Sequence, residues 1–274
     1  MATLTAPDGT QLAYEACEPV SPRAAILFLH GWSDHGGRWS GLAERLRTAG
    51  YATYLLDQRG HGRSGGRRGH LSRFSQLLGD LQTFRRAVRR RRPELAQVLF
   101  GHSFGGLVAL RYLETQPGDA LAAAVVSNPW LELARPPSGL RSFLGRALAD
   151  LWPTVPIPIG LDARLLSRDA AVATAYEADP AVHGIMTPGA WREIQWAHRA
   201  VAADKDRIET PLLVLLGGED RIVSPEAGRA FAEVLPAQVE VRWYADMYHE
   251  LLHDPDRERV ITDVLAFLAA HVGA

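Results

Sequence analysis

The residues of this chain that could do chemistry fall in one order: a serine, then an acid, then a histidine. Ser103 sits in Gly101-His102-Ser103-Phe104-Gly105-Gly106, behind the apolar run Val98-Leu99-Phe100 and ahead of the helix-like Leu107 to Leu113. A β-type run, then Gly-x-Ser-x-Gly, then a helix is the order of a nucleophile elbow, whose tight turn holds the serine hydroxyl clear of a sheet. Glycine is needed at 101 and 105 because side chains there would meet neighbouring backbone. A serine hydroxyl is a weak nucleophile at neutral pH, so it needs a base, and the base needs a group that orients it. The acid should lie just past a later strand and the histidine past the last one. Asp220, in Gly217-Gly218-Glu219-Asp220 behind Leu212 to Leu216, is the expected acid, with Glu219 its close competitor. Asn128 holds the other acid position sometimes used and cannot supply the charge. His249, in the loop behind Val239 to Tyr244, is the expected base. His253 would lie a turn further on, facing away as a surface or capping residue, and His102 is read as structural.

Acyl transfer through Ser103 would also need two donors for the oxyanion. One is the backbone N–H of Phe104, at the start of a helix; the other is the N–H of Trp32, in His30-Gly31-Trp32-Ser33-Asp34-His35-Gly36-Gly37-Arg38. His30 with His35, or His249 with His253, could be paired around a metal, but neither pair has a convincing third ligand. No Gly-x-x-x-x-Gly-Lys loop is present. The expectation is an enzyme with no metal and no cofactor.

These residues need a scaffold, and the apolar pattern supplies one. Buried strands are predicted at Ala25 to Leu29, Ala52 to Leu56, Gln97 to Phe100, Ala122 to Val126, Leu212 to Leu216 and Val239 to Trp243. The turn Pro7-Asp8-Gly9 before Leu12 to Ala16 predicts an N-terminal hairpin. Helical patterns lie near 39–49, 74–91, 105–116, 225–235 and 257–271. Such alternation implies a mostly parallel sheet with right-handed crossovers. Between Asn128 and Thr210 there is no clear strand, and a loop that long would be implausible, so a helical insertion is expected. In it Leu140, Phe143, Leu144, Ala147, Leu148, Leu151 and Trp152 recur at helical spacing, followed by the proline-broken Pro153 to Gly160. That stripe either packs the insertion onto the main domain or lines a cap whose inner face receives an acyl chain and whose exposed apolar surface touches lipid.

Composition narrows the classes further. With 274 residues, 47% of them hydrophobic, the chain can bury a large core. A formal net charge of −1 argues against a nucleic-acid partner. The run Arg85 to Arg92 reads as the solvated face and C-terminal turn of a helix rather than a binding patch. The single cysteine, Cys17, rules out an internal disulfide and fits a reducing compartment. No secretory signal is seen from Met1 to Asp8, and no apolar run could span a bilayer. A cytoplasmic location is expected, with peripheral membrane contact through the cap left open.

With these residues in place the chain resembles the α/β-hydrolase family, and within it the monoacylglycerol lipase and lysophospholipase group. The resemblance runs through His30 to Trp39, Asp57-Gln58-Arg59-Gly60-His61-Gly62-Arg63-Ser64, Gly66 to Leu71, Leu166-Ser167-Arg168-Asp169, Tyr176 to Gly184 and Tyr248-His249-Glu250-Leu251-Leu252, nearly the whole chain. It implies the α/β-hydrolase fold: an eight-stranded, mostly parallel sheet flanked by helices, with a helical cap inserted after strand six. The core would span 1–128 and 210–274, and the cap 129–209. It also implies hydrolysis of one fatty acyl ester on a small polar head, monoacylglycerol first. Lysophospholipid or short-chain esters are the alternatives, and a perhydrolase or a non-catalytic ligand-binding receptor are more distant rivals. Asp34, His35 and Arg38 fall where they could shape the head pocket, or simply make loop hydrogen bonds and salt bridges. Trp32 is bulkier than the residue of some relatives and could narrow the acyl pocket.

Overall fold

The structure, a computed structural model, describes residues 1–116, 121–235 and 238–272, excepting the side chains of 140–144 and 146. Strands β1 (Ala2–Thr5) and β2 (Gln11–Cys17) form the expected hairpin, with Thr5 opposite Gln11. Then come β3 (Ala24–Leu29), α1 (Ser40–Thr48), β4 (Ala52–Leu56), α2 (Phe74–Arg91), β5 (Ala96–His102), α3 (Phe104–Thr115) and β6 (Ala123–Ser127). An insert follows, with α4 (Gly139–Leu151), β7 (Ile157–Pro158), α5 (Ala170–Ala178), β8 (Ile185–Met186) and α6 (Pro188–Asp204). The chain closes with β9 (Leu212–Gly217), α7 (Pro225–Glu233), β10 (Val239–Tyr244) and α8 (Arg257–His271).

Eight strands form one sheet in the order β1-β2-β4-β3-β5-β6-β9-β10. Only the pairs β1–β2 and β2–β4 are antiparallel. This is the α/β-hydrolase fold, and the central strands explain it. Every residue of β3 is buried, and successive side chains enter opposite layers: Ala25, Leu27 and Leu29 on one side, Ala24, Ile26 and Phe28 on the other. The first layer is completed by Leu81 and Phe84 of α2 and Leu107 and Leu110 of α3, the second by Leu42 and Leu46 of α1 and Val260 and Val264 of α8. Because the parallel strands all end on the same side, the turns behind β3, β5, β9 and β10 converge there.

Two expectations need correction, and a third, left with two alternatives, is narrowed. The insert contains strand after all: Ile157 and Pro158 pair with Met186 and Ile185 in a two-stranded antiparallel ribbon, too short for any periodicity to announce. Of the expected apolar stripe, the side chains of Leu140, Phe143 and Leu144 lie outside the described residues, while Leu151 and Trp152 are 69% and 64% exposed, which goes against the packing alternative at those two positions and agrees with the alternative of a cap with exposed apolar surface. Within the basic run, Arg85 is buried, bonding Gln97 Oε1 and the Tyr112 hydroxyl. Arg91 and Arg92 pair with Glu18, as a helix-end reading allows.

Candidate active site

Gly101 and Gly105 let β5 turn directly into α3. A Cβ on Gly101 would be driven into the Gly105 carbonyl, and one on Gly105 into the carbonyl of Leu29. Between them Ser103 takes φ 52, the left-handed region that a residue with a Cβ enters only where its surroundings hold it. Its N–H donates to Ser127 O at 2.9 Å, and its carbonyl accepts from Trp130 N at 2.9 Å. The backbone is thereby clamped while the hydroxyl faces a cavity of about 1020 Å³.

His249 and Ser103 line that cavity together. The His249 ring is buried, and its Nδ1–H donates to Asp220 Oδ2 at 2.6 Å, leaving Nε2 as the basic edge. Asp220 is itself oriented: its other oxygen accepts from the N–H groups of Ile222 and Val223 at 2.8 and 3.0 Å. Burial alone would pull the imidazole pKa down, but the charge and hydrogen bond of Asp220, aided by Glu250 and Asp34, leave it raised. Glu219 instead pairs with Arg221 on the surface. Asn128, with φ 40, is a brace: its Nδ2 donates to His249 O at 2.7 Å and its Oδ1 accepts from Gly217 N at 2.9 Å, tying the histidine loop to the acid loop.

The two expected oxyanion donors belong to the two backbone segments next to the serine. Phe104 opens α3, where the first amides of a helix have no intrahelical acceptor. The Gly31–Trp32 turn passes so close that a Cβ on Gly31 would stand 3.5 Å from Ser103 Cβ. That loop is anchored from below by Asp57, whose carboxylate accepts from Gly36 N and from Arg63 N, both at 2.8 Å. The Asp-x-Arg-Gly-His-Gly-x-Ser stretch is therefore scaffolding. Ser64 bridges Asp57 O and Ala13 N, and Arg59 forks onto the buried Asp80.

Asp34 lines the cavity, but His35 and Arg38 are spent on ties within the protein. Asp34 accepts from His35 N, Arg38 Nη1 and Trp39 Nε1 at 2.7, 3.0 and 2.8 Å. Arg38 also forks onto Glu250 through two 2.8 Å bonds and stacks over Tyr176. Burial works against both carboxyls, yet Arg38 holds Asp34 below the usual range and Glu250 well below it. His35 Nε2–H donates to Asp179 of the insert. His253, expected at the surface or as a cap, is instead half-buried and tied to the charge cluster. Its ring lies tilted against Trp39 with centroids 4.5 Å apart, its Nδ1 meets Glu250 and its Nε2 meets Arg38 O. Glu250, next to His249, went unread because its partner is 212 residues away. Both ring nitrogens of His30, one of the histidines weighed for a metal, are turned to Gly31 O and Gln58 N.

The roof of the cavity comes from the insert, through Ile157, Ile159, Leu161, Leu165, Leu166, Tyr176, Met186 and Trp191. Its root is fixed to the histidine loop. Glu250 N donates to Leu166 O at 2.7 Å, Ser167 Oγ to His253 O, and Arg168 clasps Asp246, Asp254 and Asp256. A serine and a carboxylate-paired imidazole together at an apolar cavity are groups that can perform nucleophilic acyl transfer. Among the described residues no helix is long and apolar enough to cross a membrane.

The family described as serine aminopeptidase, S33, matches residues 20–256. A monoacylglycerol lipase of Mycolicibacterium smegmatis is 32% identical over 267 residues, covering 96% of this chain and 95% of that one. A phospholipase of Bacillus subtilis is 26% identical, over 92% of this chain and 97% of that one. The crystal structure of Paleococcus ferrophilus monoacylglycerol lipase superimposes with a TM-score of 0.86 at 30% identity, over 95% of this chain and 99% of that one. The chain belongs to the serine aminopeptidase S33 family of α/β-hydrolases, as a serine-type ester hydrolase similar to the monoacylglycerol lipases.

Proposed function

We propose that this protein releases the fatty acid from monoacylglycerols through an acyl-enzyme on Ser103. His249 Nε2 takes the hydroxyl proton as Ser103 Oγ attacks the ester carbonyl. The N–H groups of Phe104 and Trp32 receive the oxyanion, and His249 returns the proton to the departing glycerol. Water, deprotonated by the same imidazole, then releases the acid. Asp220 keeps the proton of the neutral ring on Nδ1 and stabilises the cation. We read 1–128 and 210–274 as the core and 129–209 as a cap that receives the acyl chain.

The observation that carries this reading is the buried His249–Asp220 pair beside Ser103 at the floor of an apolar cavity. A neutral glycerol head suits the buried polar end. Asp34 and Glu250 face the cavity there, and their shared cation, Arg38, is consumed by both. A phosphate so placed would meet two carboxylates. The likeness to a phospholipase keeps lysophospholipid as the second reading, with Arg135 and Arg221 further along the cavity wall as its cationic contacts. The exposed Leu151, Trp152 and Val155, next to the cavity-lining Ile157 and Ile159, support transient contact of the cap with a membrane or micelle.

The test is fatty acid release from monoacylglycerols of graded chain length, beside matched lysophospholipid and diacylglycerol, with Ser103→Ala as the blank. Fast, serine-dependent release confined to monoacylglycerols is expected. Preference for lysophospholipid would overturn the substrate, and turnover by Ser103→Ala would overturn the mechanism.

A further inference from the structure

The loop that offers the Trp32 amide is held by the insert as well as by the core. The indole Nε1–H of Trp32 donates to the carbonyl of Ile185 in β8 at 3.0 Å. The same ring stands edge-on to His61, Phe104 and His183, with centroids 5.0, 4.9 and 6.1 Å away. Its plane is thus fixed by a core loop, by the first residue of α3 and by the insert at once. Ser33, the next residue, has φ 63, and its hydroxyl lies 3.4 Å from His183 Nδ1. A left-handed turn at a residue with a Cβ persists only where its neighbours over-determine it. Here those neighbours belong to the segment between Asp179 and Ile185, which Trp32, Ser33 and His35 all reach. The accepting carbonyl is itself seated by close backbone contact. Gly69, at φ 62, comes so near that a Cβ would stand 2.6 Å from Ile185 O, and Gly69 O accepts from Thr187 N at 2.9 Å.

We propose that the Trp32 side chain is a positioning residue: by bonding Ile185 it holds its own backbone amide in the oxyanion hole, so that the hole is complete only when the insert sits against the loop. The inference rests on the acyl-enzyme reading above. An oxyanion donor acts through its placement before the reaction starts, so a bond that fixes the donor favours the transition state over the ground state. A tryptophan that only filled space would affect stability and leave that preference alone.

The two cases separate with a long-chain trifluoromethyl ketone and the matching trifluoromethyl alcohol. Ser103 Oγ adds to the ketone carbon, its proton passes to His249 Nε2, and the carbonyl oxygen becomes an anion in the hole. The alcohol fills the same space without an anion. Trp32→Phe keeps an aromatic ring and deletes the N–H. The amide remains, so the loss should fall short of the roughly 10²–10³-fold that follows removal of a whole donor. We expect the ketone to weaken about 10-fold and the alcohol by less than about twofold, with kcat falling and KM retained. Gly69→Ala, which acts on the other end of the same bond, should produce the same selective loss. A partly unfolded preparation changes the active fraction, not the ratio of the two affinities, so poor folding cannot mimic the result. Equal weakening of both ligands, or of neither, would overturn the role of Trp32. A wild-type protein that bound the ketone no better than the alcohol would overturn the acyl-enzyme reading together with it.

Discussion

Arg38→Met should harm this protein more than deleting the whole charge cluster around it. The Arg38 side chain is 9% exposed and lies between Asp34 and Glu250, whose side chains are 4% and 2% exposed. Methionine fills the stem of the arginine but leaves two buried carboxylates without their cation. Removing one partner of a buried ion pair costs about 3–5 kcal/mol, and chains of this size lose about 2–4 °C of Tm per kcal/mol, so a fall of about 6–20 °C follows. Adding Glu250→Gln and Asp34→Asn removes the stranded charges and should recover much of it. The pH dependence has a definite sign. In the wild type both carboxyls sit below their ordinary pKa, so their contribution is present above about pH 4 and is lost as the pH falls further. In Arg38→Met burial is no longer opposed by the arginine, so the folded-state values rise above the unfolded ones. The folded variant then binds more protons than its unfolded chain, and its deficit should shrink as the pH drops from 8 toward 5. Thermal melts of wild type, single and triple variants across that range test this. An unchanged Tm with a raised KM would refute the argument and make Arg38 a ligand for the substrate head. A deficit flat in pH would refute the electrostatic part.

Asp220→Asn should lower kcat by about 10³–10⁴-fold with little change in KM, because the amide can favour the wrong tautomer. Since Asp220 raises the imidazole pKa, any residual activity should extend to lower pH, read from the acid limb of kcat/KM. Glu114, fully buried beside Arg111 on α3, has its pKa pushed by burial to about 8. The folded state therefore holds a proton that the unfolded chain gives up near pH 4.3, and stability should decline between about pH 4 and 8. Glu114→Gln should flatten that slope in denaturant melts. Leu151→Ser with Trp152→Ser should change stability by less than about 0.5 kcal/mol per site, as exposed positions do, while weakening retention on lipid vesicles measured by co-sedimentation.

How far the chain can be read from its sequence follows the range of the interactions involved. β3 announces itself because it is buried on both faces and every residue is apolar, and α2 because its apolar periodicity is local. The elbow was legible because its Gly-x-Ser-x-Gly order is contiguous, although only Gly101 meets its constraint within the turn and Gly105 meets the Leu29 carbonyl of β3. Asp220 and His249 are expected in the turns behind late strands, in the order serine, acid, histidine, and the two side chains meet in the structure. The β7–β8 ribbon was not legible, since two residues per strand carry no period and their pairing joins positions about thirty residues apart. Glu250 and His253 were missed or misplaced because their meaning lies in Arg38, on the far side of the chain.

Trp32 shows where such reading is incomplete. A large residue in an oxyanion loop invites the inference that it narrows the acyl tunnel, because bulk is what a sequence displays. Direction is what decides, and direction is set by the left-handed turn at Ser33 and by a carbonyl 153 residues away. Trp32 does line the cavity, yet its ring is held on edge between Phe104, His61 and His183, with its N–H committed to the insert. A smaller residue there would widen the cavity only by undoing a tie between the oxyanion loop and its roof. On the proposed acyl-enzyme reading, chain-length preference and catalytic rate would be coupled through one side chain, so variants at position 32 should not trade acyl length freely without changing kcat.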